Sequence, residues 1–131
     1  MNNYSLKNRY VLIISVLLGG ILAVFFYYRF RLEEKFLVWK GNKAFNKAEY
    51  GDAEVYYKKA ISVNPMLYWA RYNLANALYQ QDRYQEAILF YKQAIQAERH
   101  ISEAWNNLGN TYFKKRELSN SLNAYKVALL K

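Results

Sequence analysis

His100 is the only histidine in this chain, and there is no cysteine. A lone imidazole has no second ligand to share a metal and no partner to orient it as a general base. It falls in an expected connection between helical units and reads as a surface residue. Without thiols there are no disulfides, no thiol catalysis and no thiolate metal sites. The acidic residues are scattered at helical spacing, and Glu33-Glu34 read as a solvated face. No phosphate-cradling loop and no nucleophile motif occur. Lys and Arg outnumber Asp and Glu by 19 to 10, a formal net charge of +9, and the longest basic run is Lys114-Lys115-Arg116. These cations do not interleave with aromatics in a stripe, so nucleic acid is not an expected partner. The expectation is a chain that is not an enzyme and has no metal or cofactor. What remains is recognition chemistry. Asparagine amides both donate and accept hydrogen bonds, aromatic rings supply contact area, and both need elements that set them on one surface.

Those elements announce themselves by repetition. Gly41, Ala75 and Gly109 recur every 34 residues, and so do Ala53, Ala87 and Ser121; Tyr57, Tyr91 and Tyr125; and Ala60, Ala94 and Ala128. A fixed period of this size marks stacked identical units, which usually bind rather than catalyse. Apolar residues at 53% and aromatics at 18% are too abundant for a disordered chain. One proline and five glycines leave few breaks, so helices are expected.

The N-terminal part is different. Residues 1–9 read as a short tail and residues 10–31 as a transmembrane helix. Tyr10 to Tyr28 contains no charge, and at 1.5 Å per residue it spans roughly 28 Å, near the thickness of a bilayer's hydrocarbon core. Tyr10, Tyr27 and Tyr28 sit at its ends, where amphipathic rings prefer the headgroups. Lys7 and Arg9 flank one side, Arg29 and Arg31 the other. A cleaved signal peptide is the competing reading. The bulky run Phe25-Phe26-Tyr27-Tyr28-Arg29 lacks a small-residue cleavage site, which favours an uncleaved anchor. Ser15, Gly19 and Ala23 lie four apart, a spacing that lets two membrane helices approach closely. Arg29 to Lys40 holds neither Pro nor Gly, so the anchor is expected to run straight into the first soluble helix.

The third unit carries an explicit resemblance. Trp105-x-x-Leu108-Gly109-x-x-Tyr112 followed by Ser121-x-x-x-Tyr125-x-x-Ala128 resembles the tetratricopeptide repeat. Leu74, Ala75, Leu78, Ala87, Tyr91 and Ala94 mark the second unit. Leu37, Gly41, Ala53, Tyr57, Ala60 and Pro65 mark the first. Lys40, Arg71 and Arg99 depart from the pattern. The resemblance implies an all-α fold: an N-terminal transmembrane helix, then three helix-turn-helix units forming a short right-handed α-solenoid over residues 34–131. The units fall at about 34–67, 68–101 and 102–131. Helices are expected near 34–47, 52–63, 68–80, 86–97, 102–114 and 119–130. Tyr50-Gly51-Asp52, Gln81-Asp82-Arg83 and Arg116-Glu117-Leu118 are the expected turns within units, and Asn64-Pro65 and Arg99-His100 the connections between them. Small residues belong where the two helices of a unit cross, and the Tyr57 column fills the space between units.

The resemblance also implies a concave groove lined by the first helix of each unit. Carried over, its positions give Val38, Trp39, Asn42, Phe45 and Asn46; then Trp69, Tyr72, Asn73, Asn76, Tyr79 and Gln80; then Glu103, Asn106, Asn107, Asn110, Phe113 and Lys114. Asn42, Asn76 and Asn110 form a ladder with Asn73 and Asn107 beside it. Asparagine is a mediocre helix former, so these five together favour pairing with the backbone of an extended peptide. Chaperone-binding relatives clamp a C-terminal carboxylate between basic residues and asparagines. Here Asn42 and Asn73 match the asparagines, but Val38, Glu103 and Asn107 stand where cations are required, so an uncharged or basic peptide fits better.

The sequence ends at Leu130-Lys131, directly after the expected sixth helix. Leu118, Leu122, Tyr125, Leu129 and Leu130 are expected to leave an apolar face for another subunit, a homo-oligomer or a tight protein partner. The leading expectation is a membrane-anchored scaffold for protein-protein interaction, anchored in lipid through residues 10–28. The compartment expected is a bacterial inner membrane with the repeat domain outside it. Lys40-Gly41-Asn42-Lys43, Ala53-Glu54-Val55-Tyr56-Tyr57-Lys58-Lys59-Ala60 and Arg71 to Tyr79 resemble the small repeat proteins of the bacterial Bat aerotolerance systems. The alternative is a structural subunit of a larger membrane complex, with no peptide in the groove.

Overall fold

The structure is a computed structural model that describes residues 3–98 and 101–130. Arg99, His100 and Lys131 lie outside the described residues, so the reading of His100 as a surface residue falls outside them too. The described residues form six helices: α1 (Asn3–Asn46), α2 (Tyr50–Val63), α3 (Tyr68–Gln80), α4 (Tyr84–Ala97), α5 (Ser102–Lys114) and α6 (Leu118–Leu129). Two units separate by their contacts, Met1–Glu33 and Glu34–Lys131.

In the first unit, residues 8–33 are all exposed. Among the described residues α1 is the one helix long and apolar enough to cross a membrane. The Ser15 hydroxyl donates to the Leu12 carbonyl one turn back, at 2.8 Å. That bond hides its polarity inside the helix, as lipid or a packed neighbour would require. A Cβ added at Gly19 or Gly20 would meet open space.

In the second unit, residues 34–46 of α1 pair with α2, α3 with α4, and α5 with α6, as three helical hairpins. Each hairpin closes the same way. Ala48, Asp82 and Arg116 adopt left-handed backbone, with φ of 62°, 58° and 61°. The next residue's N–H then returns to the helix: Glu49 to the Ala44 carbonyl, Arg83 to Leu78 and Glu117 to Tyr112, at 3.0, 3.0 and 2.9 Å. This closure satisfies carbonyls that a helix end leaves open. The first turn is therefore at 47–49 and not at Tyr50-Gly51-Asp52. Gly51 lies in the first turn of α2, and a non-glycine residue takes the left-handed position. α2, α4 and α6 accordingly begin one or two residues earlier than the sequence suggests.

The core follows the periodic columns. Ala53, Ala75 and Ala87 are fully buried at the helix crossings, and Leu74 and Leu78 are fully buried between them. Each of those leucines contributes about 1.5–3 kcal/mol through removal from water. At Gly41 and Gly109 the crossing is tighter still. An added Cβ would stand 2.5 Å from Tyr57 Cε1 at the first and 2.7 Å from Tyr125 Cδ1 at the second.

Polar groups fasten the first hairpin to the connection that follows it and to the second hairpin. Asn64 Oδ1 accepts the Met66 N–H at 3.0 Å, which shapes the turn at Pro65. The other end of the same amide donates to Glu34 Oε2 at 2.6 Å. Glu34 is only 1% exposed, so Glu33-Glu34 is not a solvated face. Glu33 stays outside, while Glu34 turns inward because its helix face packs on the connection between hairpins. A second tie centres on Glu54. It accepts from Lys58 at 2.7 Å, Arg83 at 2.5 Å and Gln81 at 3.3 Å. Burial pushes the Glu54 carboxyl up, but those donors outweigh it and hold it below the usual carboxylate range.

Candidate binding groove

The asparagines expected to line a groove do stand together, on the first helix of each hairpin, and each of Asn42, Asn76 and Asn110 is tied to a tyrosine of the second helix. The Tyr57 hydroxyl donates to Asn42 Oδ1 at 2.8 Å. Tyr91 donates to Asn76 Oδ1 at 2.6 Å and Tyr125 to Asn110 Oδ1 at 2.6 Å. All three pairs have the same separation of 15 residues. Rungs then cross between hairpins. Asn73 Nδ2 donates to Asn42 Oδ1 at 3.1 Å. Asn107 Nδ2 donates to Asn76 Oδ1 and to the Tyr72 hydroxyl, both at 3.1 Å.

Two adjoining hollows follow this ladder. One, of about 300 Å³, is lined by Asn42, Phe45, Asn46, Tyr57, Asn73 and Asn76. The next, of about 200 Å³, is lined by Phe45, Asn76, Tyr79, Gln80, Tyr91, Asn107 and Asn110. Phe45 and Asn76 wall both, so the two read as one channel across the hairpins. Tyr72 and Asn107 also line a third hollow of about 450 Å³ with Tyr125 and Leu129, towards α6.

The remaining sites divide. Val38 is 4% exposed and belongs to the core, so it lines nothing. Trp39 is exposed but faces a separate hollow with Tyr56, Lys40 and Lys43; Lys43 sits 5.3 Å from its ring centre. Trp69 is half-buried and packs on the core cluster, and Phe113 is exposed. On α6, Leu118, Leu122 and Leu129 are exposed, Leu129 at 87%. Tyr125 is different: its ring covers Gly109 and its hydroxyl is spent on Asn110. The side of α6 that carries it faces α5. Among the described residues, no three His, Asp or Glu side chains gather as a metal-holding group.

Sequence reasoning missed the tyrosines as part of the groove and gave them only a space-filling role. The signal was present in the constant offset between the asparagine and tyrosine columns. Burial keeps the Tyr57 and Tyr91 hydroxyls protonated. Desolvation pushes Tyr57 up to about 12 and raises Tyr91 further, so both remain donors throughout the neutral range.

Set against known proteins, two stretches match models described as tetratricopeptide repeat, residues 68–100 and 102–129. These two hairpins are similar in sequence to tetratricopeptide repeats. The first hairpin repeats the same asparagine–tyrosine geometry as the two matched ones. No curated protein matches this sequence. Among solved structures, the chain is similar to the first tetratricopeptide domain of Spaghetti (RPAP3) bound to the HSP90 peptide SRMEEVD. That match has a TM-score of 0.73 and 23% identity over 75% of this chain and 78% of that one. It is similar to the TPR2B domain of yeast Sti1 in complex with pHsp70, with a TM-score of 0.73 and 21% identity over 74% and 78%. It also resembles the Sgt2 tetratricopeptide domain of Aspergillus fumigatus, with a TM-score of 0.71 and 26% identity over 73% of this chain and 64% of that one. At this level of identity the likeness speaks for the repeat fold.

Proposed function

We propose that this protein is a membrane-anchored tetratricopeptide scaffold that holds a segment of a partner protein in its concave groove and does no chemistry on it. One observation carries the reading: a channel that continues from hairpin to hairpin, walled by amide groups and rings. The solved domains similar to it include two bound to chaperone-derived ligands, which supports a polypeptide partner here. The mode of capture differs, because the cations of a carboxylate clamp have Val38, Glu103 and Asn107 in their places. An internal, extended segment without a required free carboxylate fits this groove. The anchor is residues 10–28 in the bilayer, with Ser15, Gly19 and Ala23 as a face for pairing with another membrane helix. A bacterial inner membrane with the repeats on its outer side, and a role beside the partners of the Bat systems, are the compartment and setting this reading takes.

The test is alanine substitution at Asn73, Asn76 and Asn110 in the full chain, followed by cross-linking pull-down from membranes. Loss of a co-purifying protein with the helical circular dichroism unchanged supports groove binding. Unchanged association sinks it and favours the second reading, a structural subunit docked or self-associated through Leu118, Leu122 and Leu129. The exposure of those leucines on α6 is what supports that reading.

A further inference from the structure

The asparagine ladder has a polarity problem that its tyrosines solve. An amide side chain can turn over, exchanging its oxygen and nitrogen, and two bonded asparagines can turn over together and remain bonded. Asn76 with Asn107, and Asn42 with Asn73, are such pairs. Taken alone, each pair could face a ligand in either sense. The tyrosine hydroxyls remove that freedom. Tyr57 and Tyr91 are each only 1% exposed, and a buried hydroxyl proton needs an acceptor. The Tyr91 proton finds Asn76 Oδ1 at 2.6 Å, and the Tyr57 proton finds Asn42 Oδ1 at 2.8 Å. With those oxygens fixed inward, Asn107 directs its Nδ2 to Asn76 and to the Tyr72 hydroxyl.

We propose that Tyr57, Tyr91 and Tyr125 are positioning residues that fix the groove's polarity. They commit the Asn42, Asn76 and Asn110 oxygens to the interior, so that this column offers N–H donors while Asn73 and Asn107 offer carbonyl acceptors beside it. The ligand class that matches is an extended polypeptide backbone, whose edge presents C=O and N–H groups in alternation and so meets the donors of Asn42, Asn76 and Asn110 and the acceptors of Asn73 and Asn107 in turn. This rests on the groove-binding reading above and adds the groups by which it binds.

The test uses the full chain in detergent micelles, labelled with ¹⁵N-asparagine, beside a Tyr91→Phe variant. Phenylalanine keeps the ring, and it is the residue type of the repeat pattern at this column, so only the hydroxyl is lost. Nitrogen-resolved proton spectra should show slow water exchange for the Asn107 side-chain amide and fast exchange for that of Asn76. The contrast should collapse in Tyr91→Phe. The binding probe is a fluorescein-labelled peptide selected on the wild-type chain from a random display library. Its Kd should rise about tenfold in Tyr91→Phe, the scale of one lost hydrogen bond at a fixed site. Unchanged affinity, or an exchange contrast that survives in the variant, overturns the proposal. If the amide contrast behaves as stated but the library yields no binder, the positioning role stands and the groove-binding reading fails. Should Tyr91→Phe not fold, Tyr57→Phe takes its place, with the same contrast and the same loss of affinity read through Asn42 and Asn73.

Discussion

A phenol shut away from water keeps its proton longer than a free one, and burial pushes Tyr57 up to about 12. Between the ordinary tyrosine value, ~10, and that figure, the folded state holds a proton that the unfolded chain has released. Folding is then favoured less and less as pH climbs. The stabilisation is complete below pH ~10 and disappears on the way to about 12. The melting temperature should therefore fall above pH ~10. Tyr57→Phe should make that limb shallower without abolishing it, because Tyr91 is raised as well, and should lower neutral stability by the worth of the bond to Asn42, about 0.5–1.5 kcal/mol. A profile equally steep in the variant would show that other groups control it. On the acid side the sign reverses. Glu54 is held low by Lys58, Arg83 and Gln81 against the cost of its burial, so its contribution is present above the ordinary glutamate value and is lost as pH falls through the lowered one. Glu54→Gln should remove that part of the acid transition. It should also cost about 1–2 kcal/mol at neutral pH, discounted because Arg83 is partly exposed.

At the scale of the helix, two glycines in neighbouring elements should respond oppositely to the same change. In α1, a methyl group at Gly41 would press into the Tyr57 ring, which the core holds still. Gly41→Ala should destabilise by about 1–3 kcal/mol through overpacking. In α2, Gly51 has nothing within 4 Å of an added Cβ, so Gly51→Ala should gain about 0.5–1 kcal/mol of helix propensity. Paired urea melts decide both, and equal signs would contradict the geometry. The two cases also show where sequence is readable. Helix spacing and the small-residue columns are legible because every unit must solve the same crossing, and repetition amplifies a pattern. The first turn is not, because local reasoning places a turn on glycine, whereas this hairpin puts Ala48 in the left-handed position and keeps Gly51 helical. Glu34 defeats local reasoning for a related cause. Its burial depends on Asn64, 30 residues away, and nothing local to Glu33-Glu34 announces that partner. The groove asparagines are legible as a column, but the direction of their amides depends on hydroxyls from the other helix of each hairpin.

Across the repeat unit as a whole, stability should be graded along the stack. A repeat array behaves as a line of units coupled to nearest neighbours. α3 touches α2, α4 and α5, and α4 lies between α3 and α5, whereas α6 rests on α5 with its leucines outward. Opening α6 therefore breaks one interface, while opening α3 breaks the array on both sides. Amide hydrogen exchange of the full chain in dilute detergent should be slowest in α3 and α4 and at least about tenfold faster in α6, since ~1.4 kcal/mol of coupling corresponds to a factor of ten. The gradient also discriminates between the two functional readings. If Leu118, Leu122 and Leu129 meet a second copy, exchange in α6 should slow as protein concentration rises, with α3 and α4 unchanged. If the groove is the working surface, α6 should stay fast at every concentration. Adding a groove ligand should then slow α3 and α5, the helices that carry Asn76 and Asn107. An α6 as slow as α3 at the lowest concentration would mean that its apolar face is already covered, and the leucines would then be part of a permanent interface.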